Sequence, residues 1–405
     1  MNIKPTDILF ILFSYILLLV INHGFINYEY GFLEPVLIVF CVVSLTIQAL
    51  IFGANRAVDK LFFLITPILM IGVLASIFLY TTGELREFEA SDSYVYDRLA
   101  SLLALSGGSP DGLDGVKYGL DDYGYPLIRY LFGAEMGSNI ALLFFKILLH
   151  YSTAYFIYVS LLRDGIGAVI SSRCSLLYLN NSILIFFVCS GLKEVILAFF
   201  VSGLLLNRLW IKSILISCTY FFRKTVPLTA ILALITLKYS RFLSTQRLLV
   251  ILSILLFLTF VFFVNISSNS FPFRDYMNLL LLGYELEVFF ASLYSVLFGG
   301  IPTVFNESPT NLVYSPSVFL VNCLLMGTLF SLRSKYFKEP YFYALLIFGF
   351  GLIVLALGIK VRYIAPFYFI YMLIIGSSFS KISSTGLKMG VIATVFVSQA
   401  WSLLA

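Results

Sequence analysis

The sequence is poor in charged residues. Aspartate, glutamate, lysine and arginine make up 12% of its 405 residues, whereas hydrophobic residues make up 60%. A soluble domain usually carries about 25% charged residues. A water-soluble fold cannot bury so much apolar side chain, so the composition argues against an ordinary soluble enzyme or binding module and predicts an integral membrane protein.

Metal-binding residues and nucleotide-binding motifs are also scarce. There are two histidines, His23 and His150, and five cysteines without CxxC spacing, all in or beside apolar runs: Cys41, Cys174, Cys189, Cys218 and Cys323. This pattern indicates buried thiols rather than a disulfide framework or a metal site. No Walker A, GxSxG, HExxH or GxGxxG motif is present. We therefore expect no cofactor and no protein ligands for a metal, although the sequence leaves a divalent-metal requirement open. An activated substrate would have to arrive within the membrane.

Long apolar runs make up most of the sequence. They reach about 20 residues without alternation, which favours transmembrane helices over a β-barrel. We predict spans near 6–23, 33–53, 61–81, 138–161, 167–189, 194–210, 211–222, 225–238, 247–265, 315–332, 340–358, 363–380 and 388–404. The pair 211–222 and 225–238 is too short to cross comfortably and could form a re-entrant hairpin. The expected fold is thus an all-α polytopic bundle of about 11–13 spans, forming a single integral-membrane domain over residues 1–405.

Basic residues predict the orientation of the bundle. With the N-terminus cytoplasmic, the inner segments hold fifteen basic and four acidic residues, and the outer segments hold ten basic and seventeen acidic residues. This asymmetry follows the positive-inside rule and predicts a periplasmic C-terminus. Two large loops, 82–137 and 266–314, then lie outside. Within them, 93–105 and 276–298 are predicted to be amphipathic helices lying on the membrane.

The first outer loop mixes acidic and aromatic residues. It begins GELREFEASDSYVYDRLASLLAL and ends YGLDDYGYPLIRYLFG. In a helix over 92–104, i,i+4 spacing places Tyr94 on a face with Arg98, and Ser93 on a face with Asp97. Tyrosine rings stack on sugars and carboxylates accept hydrogen bonds from hydroxyls, so the pattern favours sugar binding. A plain solvated loop is the alternative.

Basic residues form a second set on the predicted outer side. They are Lys193, Arg223, Lys224, Arg274, Lys360 and Arg362. Each one alone could be a residue at a span end whose charged group reaches the interface. The positive-inside rule expects few basic residues on this side, so the whole set favours a binding site for a lipid-linked diphosphate. Arginine binds phosphate through a bidentate fork and lysine as a point charge, and neutralising the diphosphate stabilises it as a leaving group.

Lys146 and His150 form an isolated ionisable pair inside the fourth predicted span. They lie four residues apart and should share one helix face, towards the bundle interior. A proton or ion path would use such residues. This pair is the main sequence feature that favours a transporter.

Five segments, taken in order, resemble integral-membrane enzymes that use polyprenyl-linked sugars. They are DSYVYDRLA, GYPLIRYLFG, SGLKEVILAFF, FFRKTVPLTA and VRYIAPFYFIYML. In the O-antigen or polysaccharide polymerase group (Wzy-type and EpsG-like proteins), Asp92–Tyr96, Lys193–Glu194 and Arg223–Lys224 would match the acidic loop, the basic-polar pair and the short basic segment. The GT-C glycosyltransferase superfamily is also similar, with a carboxylate in its first outer loop and a late motif like RYIAP. Here the acidic loop follows the third predicted span rather than the first, and the large soluble C-terminal domain frequent in GT-C enzymes has no counterpart, which favours the polymerase group.

The resemblance implies a polymerase that joins undecaprenyl-diphosphate-linked oligosaccharide repeat units at the periplasmic face of a bacterial inner membrane. The implied diphosphate ligands are Lys193, Arg223, Lys224, Arg274 and Arg362. The implied catalytic carboxylates are Asp92 or Asp97, with Asp121, Asp122 and Glu194 as weaker candidates, and the implied sugar contacts are Tyr94, Tyr123, Arg129 and Glu194. The expected partners are the lipid-linked oligosaccharide, membrane lipids and a chain-length regulator protein, without nucleic acid. The alternatives are a GT-C transferase that adds one sugar from a polyprenyl-phosphate donor and, in another class, a lipid-linked oligosaccharide flippase.

Overall fold

The computed structural model describes residues 4–23, 33–53, 92–109, 123–132, 140–190, 193–223, 225–239, 285–301, 309–333, 335, 340–355 and 364–404. Within these ranges all regular structure is helical, as predicted, and there are fifteen α-helices. They are α1 (Pro5–His23), α2 (Leu33–Gly53), α3 (Asp92–Leu105), α4 (Gly124–Leu131), α5 (Ile140–Arg163), α6 (Ala168–Leu179), α7 (Ser182–Cys189), α8 (Glu194–Ser202), α9 (Leu209–Cys218), α10 (Thr225–Tyr239), α11 (Glu285–Phe298), α12 (Pro309–Leu332), α13 (Pro340–Leu355), α14 (Tyr368–Ser378) and α15 (Ser384–Leu404). The predicted spans 61–81 and 247–265, and the part of the second outer loop before 285, lie outside these ranges.

Two of the helices are long and apolar enough to cross a membrane. These candidate spans are Ala141–Arg163 in α5 and Val313–Leu332 in α12, and α6 and α7 add a third if the bent pair is one span. Shorter apolar helices cover Pro5–Ile21, Ile38–Ile51, Glu194–Leu205 and Leu209–Phe221. The predicted apolar runs are therefore helical over most of their described residues, with breaks at Asn180–Asn181 and at 206–208.

The outer surface of α5 is apolar. Phe144, Leu148 and Tyr155 are all exposed, at spacings that keep them on one side of the helix. A soluble monomer rarely exposes such a contiguous apolar stripe, because burying it in an apolar environment is favourable. The stripe is suited to contact with lipid.

The centre of the molecule is built around α12 and α14. Helix α12 packs along α15 and also contacts α2 and α7, while α14 packs on α5 and α6. Contact between α12 and α15 depends on glycine, because an added Cβ on Gly390 would lie 2.5 Å from the backbone nitrogen of Gly327. The core is thus made by helices from both ends of the sequence.

The predicted span 167–189 is broken. Helices α6 and α7 meet at an angle of 48°, and Asn180 and Asn181 lie at the break. The side-chain oxygen of Asn181 accepts hydrogen bonds from the backbone nitrogens of Ile183 (3.0 Å) and Leu184 (3.2 Å), which caps the start of α7. Asparagine caps a new helix at a position where the apolar pattern alone predicts a continuous one.

Lys146 and His150 lie at the C-terminal ends of these two half-helices. Both side chains are buried on α5 and share a face, as predicted. The Lys146 ammonium donates to the carbonyl oxygen of Ser190, just after α7. The Nε2 of His150 lies 3.1 Å from the carbonyl oxygen of Leu179, the last residue of α6. The two side chains thus satisfy carbonyl groups that helix ends leave without an intrahelical partner.

Helices α9 and α10 form a hairpin. Helix α9 has 10 residues and ends in a 3-10 turn, Thr219–Phe221, and α10 has 15 residues. The backbone nitrogens of Phe222 and Arg223 both donate to the carbonyl oxygen of Thr219, at 3.0 and 2.8 Å. These bonds fix the turn that carries Arg223.

Candidate functional site

Helices α3 and α4, the start of α8 and the turn of the α9–α10 hairpin meet at one place. Helix α3 packs on α4. Helix α4 approaches the hairpin turn so closely that an added Cβ on Gly124 would lie 2.8 Å from the carbonyl oxygen of Phe221. Glycine at the start of α4 therefore lets the end of the first outer loop pack directly on this turn.

Two tyrosines form one wall of the site. The rings of Tyr96, from α3, and Tyr125, from α4, meet edge to face with centroids 5.0 Å apart. Both side chains are buried. The Tyr125 hydroxyl is buried and lies near the Arg129 guanidinium. Burial raises its pKa above the ordinary value, and the charge of Arg129 only partly opposes this effect, so the hydroxyl keeps its proton at neutral pH and can donate it to a ligand.

Arg129 contributes the first buried positive charge. Its residue is only 2% exposed. The guanidinium carbon lies 5.8 Å from the centre of the Tyr125 ring, one helical turn earlier on α4. A cation at this distance from an aromatic face is stabilised by the ring quadrupole, which helps to offset its burial.

Lys193 joins the start of α8 to the hairpin turn. Its ammonium nitrogen lies 3.0 Å from the carbonyl oxygen of Phe222 and 5.3 Å from the centre of the Tyr96 ring. The neighbouring residue, Glu194, is the first residue of α8, where the helix dipole stabilises a carboxylate. Its carboxylate oxygen lies 3.9 Å from a terminal nitrogen of Arg223. Lys193 and Glu194 thus contact consecutive residues of the turn, and we call Lys193, Glu194, Phe222 and Arg223 the clasp.

The residues described at this site carry more positive than negative charge away from water. They include three basic side chains, Arg129, Lys193 and Arg223, and one carboxylate, that of Glu194. All four residues are buried except Arg223, whose side chain is 15% exposed. Burying charge is costly unless it is compensated. A bound anion would compensate the excess, and the donors present match phosphate oxygens. In the described ranges no three histidine, cysteine, aspartate or glutamate side chains cluster, and the basic set at this site suits an anion rather than a metal cation.

Four of the predicted site residues come together here, namely Arg129, Lys193, Glu194 and Arg223. Tyr123 is near Arg129 in sequence, but its hydroxyl donates to the carbonyl oxygen of Gly108 at 3.1 Å, so it ties the start of α4 to the turn that follows α3. Asp92, Tyr94 and Asp97 lie on α3, but their side chains are outside the described part of the structure. So are Asp121, Asp122, Lys224, Arg274, Lys360 and Arg362, and their roles stay predictions.

Tyr96 and Tyr125 were not predicted as site residues. Both occur in the segments that carry the family resemblance, as the last tyrosine of DSYVY and the first of GYPLIRYL. The i,i+4 spacing of Tyr125 and Arg129 would have placed them on one helix face. Nothing in the pattern tells such a pair from an ordinary amphipathic loop helix.

Comparisons with known proteins do not assign the chain to a family. No family model matches it, and no curated protein or solved structure matches it significantly.

Proposed function

We propose that the chain is a polysaccharide polymerase of the inner membrane, which joins repeat units carried on undecaprenyl diphosphate. The observation that carries the proposal is the buried, positively charged site formed by Arg129 and the clasp. Four of the five segments that carry the resemblance meet at this site, and they contribute Tyr96, Arg129, Lys193 and Arg223.

The clasp and Arg129 supply donors for a diphosphate. Arg223 and Arg129 would bind phosphate oxygens through their forked nitrogens, and Lys193 would add a point charge. Charge grows on the diphosphate as the glycosidic bond to it breaks, so cations held in a water-poor site stabilise the transition state. Lys224, Arg274 and Arg362 are proposed to complete this set.

A carboxylate must take the proton of the acceptor hydroxyl. Asp92 stands one helical turn before Tyr96 on α3, which makes it the preferred candidate, and Asp97 follows Tyr96 directly. Asp122, one residue before Tyr123, is the next candidate. A general base has to come within about 2.6–3.2 Å of the proton-bearing atom. The Tyr125 hydroxyl would donate a hydrogen bond to a sugar or phosphate oxygen.

The membrane setting belongs to the same proposal. The apolar composition, the candidate spans and the exposed apolar stripe of α5 support a polytopic bundle in the inner membrane. The positive-inside pattern supports a cytoplasmic N-terminus, so the site would face the periplasm. There the flipped lipid-linked substrate and a chain-length regulator would meet the protein.

Transport is the second candidate function, because α6 and α7 form a broken helix beside the buried Lys146 and His150. Broken helices line the substrate sites of many transporters. Both side chains, however, contact carbonyl groups at helix ends, which accounts for them structurally. The polymerase proposal is therefore preferred.

The surface polysaccharide of a strain that lacks this chain tests the proposal. We expect the gel ladder of repeat lengths to collapse to a single unit and to return on complementation with the natural chain. Complementation with Arg223→Ala should leave the ladder collapsed, whereas Arg208→Ala, an exposed arginine outside the site, should restore it. Membrane levels of both variants must match.

Each other outcome points away from polymerisation. An intact ladder with altered mobility would indicate transfer of a single sugar, as in GT-C enzymes. An absence of all surface polysaccharide, including the single unit, would indicate transport of the lipid-linked unit. A ladder restored equally by both variants would remove Arg223 from the site.

A further inference from the structure

A large cavity lies along the α9–α10 hairpin, from the start of α9 to Ser217 and Pro227 near the turn. Its volume is about 1010 Å³, at the upper end of the roughly 300–1,000 Å³ typical of small-molecule sites. It is enclosed by α9, α10, the end of α5, the start of α13 and the end of α14. Lys212 lies about 15 Å before Phe222 at 1.5 Å per helical residue, so the basic part of the lining is at the end of the cavity away from the clasp.

Basic side chains gather at this cavity. Arg163, Lys212 and Lys381 line it, and Asp164 is the single carboxylate among the lining residues that the structure describes. The Asp164 carboxylate accepts a hydrogen bond from the Tyr341 hydroxyl. Arg163 is held in place because it donates to the carbonyl oxygen of Leu205 at 2.9 Å and to the side chain of Asn207. These described side chains together carry a net charge of +2, which suits an anionic group.

The rest of the lining is apolar and partly open to the outside. Leu204 and Ile216 form buried parts of the wall. Leu209, Ile231 and Ile235 line the cavity too, yet Leu209 is 74% exposed, and the two isoleucines are also exposed. An apolar rim on the outer surface of an apolar bundle would open towards lipid tails rather than towards water.

We infer that this cavity binds an acidic phospholipid, with the phosphate between Arg163 and Lys212 and an acyl chain along α9 and α10. The charge excess matches a phosphodiester, and the apolar walls match the chain. The basic residues at this end lie on the predicted cytoplasmic side, where the leaflet is rich in anionic lipid. The inference concerns lipid binding alone and does not depend on the proposed polymerase activity.

Native mass spectrometry of the full chain in detergent tests this inference. Phosphatidylglycerol is the probe, and phosphatidylethanolamine, which has no net charge, is the comparison. We expect phosphatidylglycerol to bind more tightly, and Lys212→Gln to weaken it about fivefold, as removal of one lysine near an anionic lipid should. Arg208→Gln, which removes a nearby exposed charge that does not line the cavity, should leave binding within about twofold of the natural chain.

A second variant keeps every charge and blocks the space. Ser213 lines the cavity, so Ser213→Phe should lower phosphatidylglycerol binding while the melting temperature stays close to that of the natural chain. The inference is overturned if Lys212→Gln and Arg208→Gln act equally, or if both lipids bind equally tightly. It is also overturned if millimolar inorganic phosphate displaces phosphatidylglycerol completely, because the site would then bind phosphate without a lipid chain.

Discussion

The ammonium nitrogen of Lys193 lies 3.0 Å from the carbonyl oxygen of Phe222, so the residue before α8 holds the hairpin turn. The next residue on each side extends the contact, because Glu194 faces Arg223. Two consecutive residues thus bind two consecutive residues of the turn. This arrangement explains why a lysine and a glutamate stand side by side between two apolar segments. Lys193 fixes the turn, and Glu194 orients Arg223.

Replacing Lys193 by methionine should destabilise the protein. The Phe222 carbonyl would lose a charged donor in a buried place, which typically costs about 1–3 kcal/mol. The melting temperature in detergent should fall, and Lys193→Arg should recover part of the loss. Lys335→Met is the matched control, because Lys335 is exposed and changes at exposed positions away from a site usually alter stability by less than about 0.5 kcal/mol. Equal losses in the two methionine variants would contradict a special role for Lys193.

Glu194 and Arg223 should be energetically coupled. Glu194→Gln removes the negative charge beside Arg223, and Arg223→Gln removes the positive charge beside a carboxylate that is 1% exposed. Each single change should cost more than half of what the double change costs, since the double variant removes both members of the ion pair and leaves neither of them buried without the other. Unfolding free energies from denaturant titration of the three variants measure the coupling, for which we expect about 1–2 kcal/mol. Strictly additive costs would show that the two side chains act independently.

Sequence reasoning predicted the helices and the convergence of charge but not the pairing. Apolar run length predicts helices because a membrane admits few alternatives for the backbone, and the described runs are helical apart from the breaks at Asn180–Asn181 and at 206–208. The set of basic residues on the predicted outer side, where the positive-inside rule expects few, predicted that Lys193 and Arg223 would share a site. The pairing of Glu194 with Arg223 depends on the angle at which the hairpin packs against α8. This angle is set by long-range packing, which a local sequence pattern does not encode. For the same reason the break at Asn180 and the tyrosine wall were not predicted.

Gly124→Ala should impair function more than stability. The added Cβ would lie within 3 Å of the Phe221 backbone, so α4 would have to shift away from the turn by a few tenths of an ångström. Overpacking of this kind typically costs about 1–3 kcal/mol, and it would displace Tyr125 and Arg129 from the clasp. We expect shorter polysaccharide chains at normal membrane levels.

Gly167→Ala provides the comparison for this glycine. An added Cβ at Gly167 meets nothing within 4 Å, and its backbone angle φ of −58° is open to alanine. This variant should support a normal ladder of chain lengths. If Gly124→Ala supports the same ladder as Gly167→Ala, the close approach of α4 to the turn is not needed for the site.

Lys146 separates the structural explanation of the buried pair from the transport explanation. Lys146→Met would remove the donor to the Ser190 carbonyl at the end of α7 and should lower stability by about 1–3 kcal/mol. Lys146→Arg keeps a cation at the C-terminus of α7, where the helix dipole stabilises positive charge. This variant should therefore preserve both stability and polysaccharide length. Thermal denaturation in detergent, together with the surface polysaccharide profile, measures the two effects. A proton path would depend on a lysine that can release its proton, and arginine stays charged; loss of function with normal stability in Lys146→Arg would therefore favour transport over capping.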